Sequence, residues 1–118
     1  MAEYLMRGPG DIDQVFNYLD RTMLGHATSC EAVGTYGAAF TDGRIILRVY
    51  EKYYVRTSSR ASLTVMLISR GGMVDVKIIS SGGSAGGMSA LVKFSWGAEE
   101  NFVGVALNAL PQVGFTQI

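Results

Sequence analysis

RIILRVYEKYYVR (Arg44 to Arg56), TSS (Thr57 to Ser59) and RASLTVMLI (Arg60 to Ile68) read as two strands joined by a tight turn. Side chains alternate faces along a strand. In the first run the odd positions are Ile45, Leu47, Val49, Glu51, Tyr53 and Val55; the even ones are Arg44, Ile46, Arg48, Tyr50, Lys52, Tyr54 and Arg56. In the second, Ala61, Leu63, Val65 and Leu67 are odd, and Arg60, Ser62 and Thr64 are even. A three-residue turn at Thr57 to Ser59 pairs odd with odd and joins two apolar faces. A slip of one residue would turn one of those faces outward. This reading puts the odd face of the first strand in the core and its Arg/Tyr face outside.

Working outward, Thr28 to Phe40 reads as a strand rich in small residues, and Asp42-Gly43 as a two-residue hairpin turn. That turn pairs Phe40 with Ile45, Tyr36 with Val49 and Gly34 with Glu51. Gly71-Gly72 gives the next turn, which sets Leu67 opposite Val76 and Val65 opposite Ile78, with Asp75 and Lys77 outside. Ser81 to Gly87 (SGGSAGG) is a loop, and Met88 to Trp96 alternates as a last strand.

Two helices flank this run. Asp11 is an N-cap with Gln14 three residues on. Ile12, Val15, Phe16, Leu19 and Met23 then recur at helical spacing up to Leu24, with Gly25 as C-cap. Ala98 to Leu110 carries a second stripe (Val103, Ala106, Leu107, Leu110) and stops at Pro111. Ala2 to Arg7 is a short opening strand without an assigned neighbour. The expected fold is one α+β domain over residues 1–118. It is a two-layer sandwich, an antiparallel meander of five to six strands with both helices on one face, in the order β-α-β-β-β-β-β-α.

Composition narrows the function classes. The chain has 118 residues, 48% hydrophobic and 17% charged, which suits one globular domain. Ten basic and ten acidic residues cancel, so no global field favours nucleic acid or an anionic membrane. Cys30 and His26 are each the sole residue of their kind, too few for a four-ligand metal site or a disulfide. No cofactor is expected. No apolar run reaches membrane-spanning length, and the N-terminus lacks the pattern of a signal peptide, so a cytoplasmic protein is expected.

Two groups of residues stand out. Glu51 falls on the expected core face beside Gly34, where a carboxylate is costly unless partnered. Together with the backbone of Ser81, Gly82, Gly83 and Ser84, it outlines a small-ligand site between sheet and helices. The competing reading is a carboxylate that reaches the sheet margin. Arg48, Tyr50, Lys52 and Tyr54, with Met66 and Ile68 on the next strand, outline an interface on the expected outer face. A plain solvated face competes with it. The leading reading is a non-enzymatic homo-oligomer, preferentially a dimer, that associates through this Arg/Tyr face; the alternative is a small-ligand carrier. Without a nucleophile elbow or a partnered histidine, no catalytic residue is assigned.

RVYEKY (Arg48 to Tyr53), SGGS (Ser81 to Ser84) and WGAE (Trp96 to Glu99) occur in an order that resembles a family of small uncharacterised bacterial proteins. Ala98 departs from that pattern, in which an acid often follows the glycine, and the AGG extension lengthens the loop. The resemblance implies these domain boundaries and this fold, and no chemistry.

Overall fold

Strand β4 (Ser59–Arg70) stands in the middle of the sheet and buries every second side chain: Ala61, Leu63, Val65 and Leu67. The structure, a computed structural model, describes residues 2–26, 29–54, 58–81 and 102–118. Around β4 are β1 (Ala2–Pro9), β2 (Cys30–Phe40), β3 (Gly43–Tyr54), β5 (Met73–Ser81) and a two-residue β6 (Thr116–Gln117). They form an open antiparallel sheet in the order β2-β3-β4-β5-β1-β6. Helix α1 (Ile12–Gly25) and a helix α2 over 102–109, continued by a 3-10 turn (Leu110–Val113), complete an α+β fold. The strand expected at Met88 to Trp96 lies outside the described residues. The opening strand β1 pairs with the free side of β5, from Ala2 opposite Ser80 to Pro9 opposite Met73.

Helix α1 forms for the reasons read in the sequence. The Asp11 carboxylate accepts the Gln14 amide N–H, and Ile12, Val15, Leu19 and Met23 are buried. Its end differs from expectation. The helix runs through Gly25 and stops at His26 in a right-handed conformation. The His26 ring donates Nδ1–H to the Met23 carbonyl at 2.7 Å, so a side chain satisfies an end carbonyl without a left-handed glycine. The Tyr18 hydroxyl donates to the Ala109 carbonyl and ties α1 to α2.

The hairpin at Gly71-Gly72 has the expected register, with both glycines at positive φ, Leu67 opposite Val76 and Val65 opposite Ile78. The other two hairpins do not. Phe40 pairs with Gly43, so the β2–β3 turn is Thr41-Asp42. Gly43 pairs within the strand, and only glycine fits there, because a Cβ would run into the Ser69 carbonyl oxygen. The β2 partners shift by two residues, which preserves parity: Tyr36 opposite Leu47 and Gly34 opposite Val49. A bulge between Ala32 and Gly34 then sets Ala32 opposite Tyr50 and Cys30 opposite Lys52.

Between β3 and β4 the connection spans four residues rather than three, with Tyr54 opposite Ser59 and Tyr50 opposite Leu63. This odd shift inverts β3. Its even side faces the core, where Ile46 and Tyr50 are buried, and its odd side faces away from the helices. β3 carries large apolar groups on both sides, so alternation alone did not determine its facing.

Candidate interaction surface

The inverted strand has two consequences, one on each side of the sheet. On the core side the basic row of β3 meets a matching row on α1. Arg44 pairs with Asp13. Arg48 forms a two-point salt bridge with Asp20, at 3.1 and 3.4 Å. Lys52 Nζ donates to His26 Nε2 at 3.1 Å. With Nδ1–H given to Met23, the Nε2 lone pair is free to accept that bond. The two rows run in step because α1 lies along β3.

At the centre of this seam Tyr50, 1% exposed, donates its hydroxyl to Asp20 Oδ1 at 2.6 Å. Burial, and then this bond, push its ionisation well above the ordinary tyrosine range. The Arg48 guanidinium lies over the rings of Phe16 and Tyr50, and the Lys52 ammonium over Tyr54 at 4.8 Å. Of four residues expected at an outer interface, Arg48, Tyr50 and Lys52 therefore hold α1 to the sheet, and Tyr54 lies on the same inner side beneath the Lys52 ammonium. Their charge is used internally, by Asp20 above all. The spacing of Asp13 and Asp20, two helical turns apart, against Arg44 and Arg48, four residues apart on one strand face, was the signal that could have shown this. Cys30, opposite Lys52, is buried, and burial raises its thiol pKa more than Lys52 lowers it; it is a poor nucleophile.

The other side of the sheet has no helix over it among the described residues. Here stand Tyr36, Ala38 and Phe40 of β2, Ile45, Leu47, Val49 and Tyr53 of β3, Met66 and Ile68 of β4, Ile79 of β5 and Leu5 of β1. Tyr36 is 63% and Phe40 57% exposed. Met66 and Ile68 are where the sequence placed them, on a face that is apolar rather than basic. Charged side chains cross this face as ion pairs: Glu51 with Arg60 and Arg7 with Asp75 toward its ends, and Lys77, between Met66 and Leu5, with Glu3.

Glu51 is thus corrected as well. It is part-exposed on the open face, 3.1 Å from Arg60, and not between the sheet and the helices. Gly34, opposite Val49, is on the same open face, and Ser81 is an exposed strand end. Gly82, Gly83 and Ser84 lie outside the described residues. Two of the clefts among the described residues lie elsewhere. One of about 320 Å³ is bounded by Arg7, Ile68, Arg70, Met73 and Asp75; another, of about 250 Å³, lies between the start of α1 and Val113. Neither touches Glu51. Among the described residues no three of His, Cys, Asp and Glu come together as a metal site, and no helix is long and apolar enough to cross a membrane.

No curated protein and no solved structure matches the chain. A family of unknown function does, over residues 1–114, and so takes in both the α1–β3 seam and the open face. The chain belongs to this family, DUF6054.

Proposed function

We propose that the protein is a non-enzymatic, self-associating interaction module whose copies stack through the open face of the sheet. One observation carries this reading: β3 turns Ile45, Leu47 and Val49 outward and its arginines, Tyr50 and Lys52 inward. A strand that leaves an apolar side part-exposed, with no helix over it among the described residues, is consistent with a second packed layer. The size also suits it. At about 3.4 Å per residue and about 4.8 Å between strands, the face from Ile45 to Tyr53 across five strands covers about 600 Å². Two copies would bury about 1,200 Å², at the lower end for specific interfaces. The three ion pairs on the face are each neutral in sum, and sheets pack well face to face. A two-fold dimer is the simplest assembly.

Native mass spectrometry and sedimentation of the wild type against Leu47→Asp test the reading. The wild type is expected as a multimer and Leu47→Asp at half its mass, with an unchanged monomer circular dichroism spectrum. A wild type that stays monomeric at high micromolar concentration, or a Leu47→Asp protein with wild-type mass, would overturn it.

A further inference from the structure

The two edges of the sheet are unlike. On one side β6, only two residues long, closes β1, and the Ile118 amide donates to the Leu5 carbonyl. On the other side β2 is an edge strand of eleven residues with no neighbour beyond it among the described residues. Edge strands are usually blunted by lysine, proline, a bulge or brevity, because their unpaired N–H and C=O groups accept any extended chain. In CEAVGTYGAAF there is no lysine, arginine or proline, and Glu31 is the one charge. The bulge lies between Ala32 and Gly34, which leaves Gly34 to Phe40 as a regular, uncharged ladder.

We propose that this ladder pairs antiparallel with the same ladder of a second copy, centred on Gly37. The pattern of side-chain sizes selects that occupant and that register. Pairing about Gly37 sets Tyr36 of one copy opposite Ala38 of the other, Phe40 opposite Gly34 and Thr35 opposite Ala39. Each aromatic meets a small residue, and no charge meets a like charge, since Glu31 lies outside the ladder. Centring on Ala38 would oppose Tyr36 to Phe40, and centring on Tyr36 would oppose the two tyrosines. Even residues pair with even ones, so the open faces of both copies continue on one side of a doubled sheet. This seam is at right angles to the face-to-face contact and does not depend on it. With both seams present, the assembly has two perpendicular two-folds and is a tetramer.

Hydrogen exchange of the full chain, followed by mass spectrometry at high and low protein concentration, reads the edge directly. Gly37→Lys is the variant of choice. A Cβ at Gly37 meets only the Ile45 carbonyl oxygen, at an ordinary 3.7 Å, and the side chain leaves the open face untouched. In the wild type the outward amides of residues 34–40 are expected to be protected at high concentration and to lose protection on dilution. In Gly37→Lys they exchange fast throughout and the mass halves, while Leu47→Asp keeps their protection. Fast exchange where the wild type is a multimer, or Gly37→Lys behaving as wild type, overturns the edge seam alone. Protection independent of concentration also overturns it, because the edge would then be covered within one chain. Unchanged mass in Leu47→Asp defeats only the face reading.

Discussion

The two faces of one strand, β3, carry polar groups in opposite ways: the basic row lies on the helix side and an apolar row on the open side. Its inner side holds Arg44, Arg48, Tyr50 and Lys52 under α1, and its outer side holds Ile45, Leu47, Val49 and Tyr53 under no element among the described residues. The difference shows that a polar row goes inside when the covering element brings partners in step with it. Asp20 offers one carboxylate oxygen to both the Arg48 guanidinium and the Tyr50 hydroxyl, so the desolvation cost of each group is offset by a charge-assisted bond. The apolar side has no such requirement. It gains free energy from any dry partner.

The largest contrast should come from two leucines on opposite faces. Leu67→Ala, in the core, is expected to cost about 3 kcal/mol in urea unfolding, and Leu47→Ala less than about 1 kcal/mol in dilute monomer. Equal costs would mean that the open face is already packed within the chain.

Two carboxylates sharpen the comparison. Asp20→Ala strands a mostly buried Arg48 and should cost about 3 kcal/mol, whereas Glu51→Ala breaks an exposed pair and should stay within about 0.5 kcal/mol. If the costs of these two were reversed, the assignment of inner and outer faces would be wrong.

Tyr50→Phe is the finest probe, with an expected loss of about 1 kcal/mol near neutral pH. Its signature lies at high pH. A tyrosine ordinarily ionises near pH 10, and Tyr50 is held above that by burial and by Asp20. Below pH 10 the folded and unfolded chains both keep the proton. Above it the unfolded chain loses the proton first, so stability falls as pH rises. In Tyr50→Phe that alkaline fall should be shallower, as read by thermal melts from pH 9 to about 11. Identical slopes would remove Tyr50 from the buried seam.

Much of the fold was legible. The Asp11 cap and the spacing of Ile12, Val15, Leu19 and Met23 determined α1, and Gly71-Gly72 set the β4–β5 register, because each rests on neighbours in sequence. The core sides of β4 and β5 followed, since each strand has one clearly apolar face. The candidate surface was only half legible. Met66 and Ile68 were placed on the uncovered side, but Arg48, Tyr50, Lys52 and Tyr54 were put beside them and belong to the opposite side.

Periodicity and turn chemistry by themselves determined the element types and the order β-α-β-β-β-β, and composition showed a balance of charge that names no partner. Tertiary structure decided which way β3 faces, what Glu51 meets and where β1 stands. The reason is physical: one extra residue in the β3–β4 connection exchanges the faces of a whole strand. The choice between two such packings rests on contacts such as Asp20 to Tyr50 and Gly43 against Ser69, distant in sequence and made only when the sheet and helix meet.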